Sequence, residues 1–181
     1  MKGKRIILGV TGSIAAYRSA DLIRGLQDKG FKVSAVMTKC AEHFITPLTL
    51  SSLTGEEVYR DMFAKEAQDW QMPHIRLAKE ADVLLIAPAT ANIIGKLANG
   101  LADDLLTCMA LATKAKVLIA PAMNTQMYKN SIVQENVRKL KKHGMTFIDP
   151  VKGSLACGDY GTGHIAENKT ILAATVRSLK K

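Results

Sequence analysis

Four short apolar runs constrain the fold of this chain more than any other feature. They are RIILGV at 5–10, FKVSAVMT at 31–38, DVLLIAP at 82–88 and KVLIAP at 116–121. Their apolar residues are mostly continuous instead of alternating with polar ones, which is typical of strands buried on both faces of a parallel sheet. Such a sheet needs helices on both sides. The runs therefore predict an α/β fold, a three-layer doubly wound parallel sheet of the Rossmann or flavodoxin-like class.

The segments between and after these runs have the apolar spacing and end signals of helices. Predicted helices cover 14–29, 46–54, 90–98, 102–113, 131–142 and 168–179, and a fifth strand is predicted at 145–149. A length of 181 residues suits one hydrophobic core, and the sequence has no internal repeat or linker, so we expect a single domain over 1–181. Ligands of doubly wound sheets bind at the carboxyl ends of the strands, so the residues that follow each run are the candidates for function.

The charged residues and the cysteines limit the class of protein. A formal net charge of +9 suggests an anionic partner. The densest basic cluster, RKLKKH at 138–143, lies where a helix is predicted to end and has no interleaved aromatic residues, which argues against nucleic acid. No apolar stretch approaches the roughly 20 residues of a membrane span, and three cysteines without paired spacing indicate a reducing compartment. We therefore expect a cytoplasmic protein that binds neither nucleic acid nor membranes and has no metal site.

The sequence GVTGSIAAY places Gly12 and Ser13 between the first predicted strand and the first predicted helix. Backbone N–H groups at a helix N-terminus bind anions, and glycine lets an anion approach closely. The stretch is neither GxGxxG nor a Walker loop, and the second run ends in Thr38 instead of an acidic residue. We therefore expect a phosphate site for a mononucleotide, with a simple helix cap by Ser13 as the alternative.

The third and fourth runs lead into PATAN at 88–92 and PAMN at 121–124. In both, a proline ends the strand and small residues precede an asparagine. Small side chains leave room for a flat ring, and Asn92 and Asn124 offer amide donors and acceptors to the ring or to a substrate. A helix cap is the alternative for each asparagine, and the stronger one for Asn92.

The stretch GSLACGDYGTG at 153–163 contains Cys157 and four glycines, which are Gly153, Gly158, Gly161 and Gly163. Glycine at this density is typical of a loop that bends sharply or moves. Because a free cysteine is usually buried as a small hydrophobic residue, its place in such a loop indicates a thiol that meets a ligand when the loop closes.

Together these motifs resemble the flavin-dependent cysteine decarboxylases. The matching segments are GSIAAY at 12–17, His74 in PHIRLA, PATAN followed by GLADDLL, PAMN followed by Met127, and LACGDYGTG at 155–163. The pair PAMN and LACG resembles the branch that converts phosphopantothenoylcysteine to 4′-phosphopantetheine in coenzyme A biosynthesis. The resemblance covers nearly the whole chain and implies FMN as cofactor, with thioaldehyde and enethiolate intermediates. Because the chain stops at Lys181, it resembles the stand-alone form instead of the fusion with a synthetase.

The resemblance also implies roles for individual residues. Cys157 matches the proton donor on a flap, about 151–165, that closes over the intermediate, and the glycines would make this movement sterically easy. His74 matches the catalytic base, and Asn124 matches the residue that holds the substrate carboxylate. The expected FMN-binding residues are Gly12, Ser13, Ile14, Thr38, Thr90, Ala91, Asn92, Ile93, Ala122 and Met123, and the expected substrate-binding residues are Asn124 and Ala156. Thr90 replaces a common serine and keeps its hydroxyl, whereas the role of His164 is open.

The same resemblance implies trimers, sometimes assembled into dodecamers, with FMN between subunits, and a separate phosphopantothenate–cysteine ligase as a candidate partner. Two other functions stay open: a non-catalytic flavin-binding regulatory subunit and a peptidyl-cysteine decarboxylase. The joint presence of His74, Asn124 and Cys157 argues against the regulatory subunit. A flavin prenyltransferase is disfavoured because that branch lacks the PAMN and LACG pair.

Overall fold

A six-stranded parallel sheet forms the centre of the protein, with the strand order β3-β2-β1-β4-β5-β6. The computed structural model of the chain describes residues 2–63 and 72–180. The strands are β1 (Arg5–Val10), β2 (Lys32–Met37), β3 (Val58–Tyr59), β4 (Val83–Ala89), β5 (Lys116–Pro121) and β6 (Thr146–Phe147). This sheet confirms the predicted doubly wound parallel architecture, in which the strand order reverses between β1 and β4.

Helices cover both faces of the sheet. They are α1 (Ser19–Gln27), α2 (Pro47–Thr54), α3 (Pro73–Glu80), α4 (Ala91–Ala98), α5 (Leu105–Ala112), α6 (Thr125–Lys129), α7 (Ser131–Lys142) and α8 (Asn168–Ser178). Residues of α1, α2 and α8 pack in one hydrophobic cluster, and residues of α3, α4, α5 and α7 pack in a second. Strand β1 supplies both, since Ile6, Leu8 and Val10 join the first cluster and Ile7 joins the second. Both faces of the strand are therefore apolar, which explains its continuous apolar sequence.

Two predicted helices begin later than expected. The helix predicted at 14–29 starts as a 3-10 helix, Ile14–Arg18, before α1 begins. The helix predicted at 102–113 begins at Leu105, because Asp104 and Thr107 form a reciprocal capping box that fixes its first turn. Both starts lie next to loops at the carboxyl edge of the sheet.

Residues 151–164 form an antiparallel hairpin that the sequence analysis did not predict as strands. Strand β7 (Val151–Ser154) pairs with β8 (Tyr160–His164), and a turn at 155–159 joins them. This hairpin is the flap. Its glycines, Gly153, Gly161 and Gly163, explain the omission, because glycine is depleted in strands and leaves no apolar alternation to indicate one. Strand β3 was also missed, since two residues are too few to show a period. In the part of the chain described, no helix combines the length and apolarity needed to cross a bilayer.

Candidate active site

A cavity of about 450 Å³ opens at the carboxyl ends of β1, β4 and β5, with the flap on one side. This volume is within the range of small-molecule and cofactor sites. Ten of the predicted site residues line it: Gly12, Ser13, Ile14, Thr90, Ala91, Ala122, Met123, Asn124, Ala156 and Cys157. The structure thus brings the three strand-end motifs and the flap to one place, while Thr38, His74, Asn92 and Ile93 are not on the cavity wall.

The loop after β1 has the features of an anion site. The Ser13 hydroxyl accepts the Ala15 N–H group at 3.3 Å, so the helix cap considered for Ser13 is present and coexists with its position on the cavity wall. A Cβ atom at Gly12 would lie 2.5 Å from Cys40 Cβ, so the close approach of the two loops requires glycine. Next to this loop, the N–H of Thr38 donates to the Val10 carbonyl at 3.0 Å. The Thr38 hydroxyl is buried and makes no hydrogen bond to any described residue, which leaves it available to a ligand oxygen.

Thr11 connects this loop to PATAN. Its buried hydroxyl donates to the Pro88 carbonyl at 2.7 Å and accepts the Thr90 N–H group at 3.1 Å. The bridge fixes the ends of β1 and β4 relative to each other, and it places Thr90 at the N-cap of α4.

The PATAN segment contributes Thr90 and Ala91 to the cavity wall, whereas Asn92 and the following Ile93 lie off it. The Thr90 hydroxyl accepts the Ile93 N–H group at 3.3 Å and so caps α4, which makes the alternative of an Asn92 cap wrong. The Ile93 side chain is 1% exposed and belongs to the second hydrophobic cluster. Asn92 is exposed on the first turn of α4, off the cavity wall.

Asn124 has two hydrogen-bonding roles. Its Oδ1 atom accepts the Gln126 N–H group at 2.8 Å and caps α6, as the alternative interpretation anticipated. Its Nδ2 group donates to the Sγ atom of Cys157 at 3.4 Å. The cap fixes the side chain, and the remaining amide donor points at the thiol of the flap. Capping and a functional role are therefore compatible at this asparagine.

Cys157 lies exposed in the turn of the flap. Its Sγ atom donates to Asp159 Oδ2 at 3.4 Å in addition to accepting from Asn124. Gly158, with a φ of +88°, makes the turn possible. The other flap glycines allow close packing, because a side chain at Gly161 would overlap Thr125 Oγ1 and one at Gly163 would overlap the Met123 carbonyl. Gly161 and Gly163 are thus needed for close packing, and the expected contribution of the four glycines to flap movement stays a prediction.

Arg18 is a wall residue that the sequence analysis missed. Its side chain is 16% exposed, and one guanidinium nitrogen, Nη2, pairs with Glu167 at 3.0 Å. The other, Nη1, is buried and has no hydrogen-bond partner among the residues described. A buried cation with a free donor beside a cavity is suited to an anionic ligand group. The sequence feature that could have identified Arg18 is its position directly after GSIAAY, about one helical turn beyond the Gly12–Ser13 loop.

His74 lies on the first turn of α3, away from the cavity wall. The imidazole is half-buried, and its Nδ1 atom finds no hydrogen-bond partner within 2–63 and 72–180. Met72 and Ile75, its neighbours in sequence, are large apolar side chains with exposed fractions of 56% and 38%. One chain therefore does not bring His74 together with Cys157. His164, in contrast, lines the cavity, with its Nδ1 atom 2.9 Å from the Ile165 carbonyl oxygen.

Next to α4, the GLADDLL segment forms a charged cluster outside the cavity. A hydrogen bond from Lys96 to Asp103 at 2.8 Å raises the pKa of the lysine and lowers the pKa of the carboxyl. Burial raises the pKa of the nearby Cys108 thiol, and the charges of Asp104 and Asp103 add to this. The cluster links α4 to the start of α5.

The chain is similar to curated proteins over nearly its whole length. A probable phosphopantothenoylcysteine decarboxylase of Streptococcus mutans is 47% identical over 93% of this chain and 95% of that protein. The coenzyme A biosynthesis bifunctional protein CoaBC of Vibrio vulnificus is 47% identical over 96% of this chain but only 43% of that protein. The chain thus spans less than half the length of the bifunctional relatives that it matches.

Solved structures resemble the whole fold. A mutant PPC decarboxylase complexed with pantothenoylaminoethenethiol has a TM-score of 0.88 and 35% identity, covering 99% of this chain and all of the other. The FMN binding protein AtHal3 has a TM-score of 0.82 and 39% identity, covering 97% of this chain and 96% of the other. The family model described as Flavoprotein matches residues 1–180. This chain therefore belongs to the flavoprotein family.

Proposed function

We propose that this protein decarboxylates 4′-phosphopantothenoylcysteine to 4′-phosphopantetheine with FMN as its cofactor, a step of coenzyme A biosynthesis. One observation carries the proposal: the Cys157 thiol lies 3.4 Å from Asn124 Nδ2 at the rim of a cavity built on the carboxyl ends of three strands. The Streptococcus mutans relative, which bears the name of this activity, supports it. So does the similarity to the PPC decarboxylase structure.

The residues around the cavity fit a flavin mononucleotide. The Gly12–Ser13 loop and the Thr38 hydroxyl suit the phosphate, because the Ser13 and Thr38 hydroxyls donate to none of the described residues. Ala91 and Ala122 leave space for a flat ring, and Met123 offers an apolar surface. Ile93 is buried in the second hydrophobic cluster, so only its backbone could contact the flavin. Asn92 is exposed off the cavity wall, so its contact would be at the outer edge of the site.

A bound flavin would supply the two-electron redox chemistry, removing a hydride equivalent from the thiol-bearing carbon of the substrate and returning it at the end. Asn124 holds the substrate carboxylate through its Nδ2 donor, whose direction is fixed because Oδ1 is engaged in the helix cap. After CO2 leaves, Cys157 gives its proton to the carbon that carried the carboxylate. Its sulfur is suitably placed because it contacts the same amide. The flap excludes water from the reactive intermediate.

Arg18 gives the cavity a charge that suits the other end of this substrate. Arg18 lines the wall, its buried Nη1 group has no hydrogen-bond partner among the described residues, and the pairing of Nη2 with Glu167 holds the guanidinium in place. A substrate phosphate would form charge-assisted hydrogen bonds there, which are stronger than neutral ones. This arrangement supports a phosphorylated substrate over a neutral one.

A second copy of the chain completes the site in this proposal. His74 and its exposed neighbours Met72 and Ile75 form one apolar patch, while exposed Tyr17 and Met127 form another at the cavity. Two different patches on one chain favour head-to-tail contacts, which close into rings such as a trimer. His74 would then enter the cavity of the neighbouring subunit. A ligase, on the same or another polypeptide, would supply the substrate.

The direct test is incubation of the purified protein with FMN and 4′-phosphopantothenoylcysteine, followed by mass spectrometry. We expect a product lighter than the substrate by one CO2, and none when FMN is omitted after its removal from the protein. Absence of this product from flavin-loaded protein would contradict the proposal. A cysteine-terminated peptide would then be the next substrate, and failure with both would favour a non-catalytic flavin-binding subunit.

A further inference from the structure

We propose that Asp159 is a positioning residue for the Cys157 thiol, an inference that rests on the proposed decarboxylase function. The carboxylate is the second group that contacts the sulfur, since Cys157 Sγ donates to Asp159 Oδ2 at 3.4 Å. The sequence motifs alone predict no role for Asp159. Its place two positions after the cysteine brings its side chain back onto the thiol through the turn of the flap.

The backbone of the turn fixes this contact. The N–H of Leu155 donates to the Asp159 carbonyl at 2.8 Å, and the N–H of Gly158 donates to the Leu155 carbonyl at 3.0 Å. Both bonds close the turn around Cys157, and Gly158 adopts the positive φ that the turn requires. Asp159 is therefore held by the same backbone that carries the thiol.

Two side chains together determine the direction of the thiol. A cysteine side chain has three staggered positions about its Cα–Cβ bond. In the observed position the sulfur accepts from Asn124 Nδ2 and donates to Asp159 Oδ2, and the second contact exists only when the sulfur carries its hydrogen. Removal of the carboxylate leaves the Asn124 contact alone to select this position on an exposed turn.

The direction of the thiol matters because of where the proton has to go. In the protonation step the Sγ–H bond breaks, and the electron pair of the enethiolate double bond forms the new C–H bond at the carbon that lost CO2. The Cys157 sulfur is left as a thiolate and recovers a proton from solvent, while the substrate becomes a thioaldehyde. Since Asn124 holds the departing carboxylate, a sulfur held beside Asn124 is next to that carbon. Asp159 thus acts on the protonation step and not on the steps before it.

The test compares Asp159→Ala and Asp159→Asn with a matched control, Asp149→Ala, which removes an exposed carboxylate that contacts Lys141 and not the flap thiol. Each FMN-loaded enzyme is given the substrate, and mass spectrometry separates the product, lighter by one CO2, from the oxidised intermediate, which is lighter by two further hydrogens. We expect the ratio of released intermediate to product to be at least about fivefold higher for Asp159→Ala than for Asp149→Ala. Asp159→Asn keeps an acceptor oxygen, so its ratio should return most of the way to that of Asp149→Ala. Equal ratios in Asp159→Ala and Asp149→Ala would overturn the proposal.

A second readout does not depend on turnover. Alkylation of Cys157 by iodoacetamide is followed by peptide mass spectrometry, with exposed Cys40 of the same molecule as the internal reference. Loss of the carboxylate removes the acceptor that holds the Cys157 thiol at 3.4 Å, so Asp159→Ala should free the sulfur and raise its alkylation rate about two- to fivefold relative to Cys40. An unchanged ratio would contradict the positioning role. If the unsubstituted enzyme forms no product while this ratio rises, the proposed function fails and the Asp159–Cys157 contact stands.

Discussion

The N–H group of Met123 donates a hydrogen bond to the carbonyl oxygen of Gly163 at 3.0 Å. This bond joins the end of β5, which leads to Asn124, to strand β8 of the flap, which leads back to Cys157. Gly163 has a φ of +151°, and a side chain there would overlap the Met123 carbonyl. The base of the flap is therefore attached directly to the cavity wall, and only glycine permits the attachment.

The substitution Gly163→Ala should separate the flap from the wall. The added methyl group overlaps backbone, which cannot move aside as a flexible side chain can, and strained backbone of this kind costs about 1–3 kcal/mol. We expect a lower midpoint of thermal unfolding and at least about a tenfold loss of decarboxylase activity. Gly153→Ala is the matched control, because its Cβ would meet His164 only at an ordinary 3.4 Å. Equal effects of the two substitutions would refute the attachment.

The substitution Cys157→Ser should uncouple decarboxylation from protonation. Serine keeps the size and the contacts of the side chain but is a much weaker acid, so proton transfer to the carbon should slow by at least about 100-fold. Mass spectrometry should detect the decarboxylated species that lacks two hydrogens, in place of the final product. Cys40→Ser is the control, since that thiol is exposed on the 3-10 helix Lys39–His43 and lies outside the cavity wall. Normal product from Cys157→Ser would exclude the thiol as proton donor.

The substitution Arg18→Gln should reduce discrimination between phosphorylated and unphosphorylated substrates. Loss of a charge-assisted contact of roughly 1.5–3 kcal/mol should raise KM for 4′-phosphopantothenoylcysteine about 10- to 100-fold. Pantothenoylcysteine, which lacks the phosphate, should change by less than about threefold. Steady-state kinetics with both substrates make the comparison, and Arg24→Gln, an exposed residue of α1, controls for charge. A similar rise in KM for both substrates would argue against a phosphate contact.

Mixing inactive subunits tests whether two chains share one site. His74→Asn and Cys157→Ser variants are coexpressed with different tags, and assemblies carrying both tags are isolated. If His74 acts in the cavity of a neighbour, some sites in the mixed assembly have both residues and activity returns. If both residues act within one chain, every site lacks one of them and the mixed assembly stays inactive. Size-exclusion chromatography with light scattering establishes the subunit number of the same sample.

The substitution Asp104→Ala should destabilise the fold without changing the chemistry. It removes the capping box of α5 and one of the two carboxylates that contact Lys96. A lost N-cap costs about 1–2 kcal/mol, so the unfolding midpoint should fall by several degrees while KM stays within about twofold. Asp103 also contacts Lys96 but does not cap α5, so we expect Asp103→Ala to lower the unfolding midpoint by less. A fall as large for Asp103→Ala would assign the effect to the ion pair instead of the cap.

The sequence predicted the parts of the fold that depend on continuous patterns. The apolar runs indicated β1, β2, β4 and β5. Both faces of each strand are buried, so nearly every residue along the strand is apolar. The loops after them could be assigned to one site, since parallel strands end at the same edge. Gly12, Ser13 and Asn124 were predicted on this basis, Thr90 and Cys157 with the help of the family resemblance, and all five share the cavity wall.

The parts that escaped prediction depend on contacts between distant residues. Arg18 gained its role from Glu167, which is 149 positions later in the chain, and no local pattern links the two. Thr11 bridges to Pro88 and Thr90, which are 77 and 79 positions later in the chain, so no local pattern indicates the bridge. Asn92 and Ile93 come soon after Thr90 in the sequence, but the first turn of α4 places both of them off the cavity wall. His74 was predicted from a resemblance, and a single chain leaves it outside the cavity.

The attachment of β8 to β5 divides the flap into two mechanical parts. Strand β8 is anchored to the cavity wall through Gly163, whereas the turn at 155–159 is closed by its own backbone hydrogen bonds. The end of the flap that carries Cys157 is then a five-residue turn on a scaffold that does not need to move with it. Under the proposed function, exchange of that turn for one of different length or sequence would alter which thiol-bearing molecule is admitted, while the phosphate loop and the strand-end residues keep their geometry.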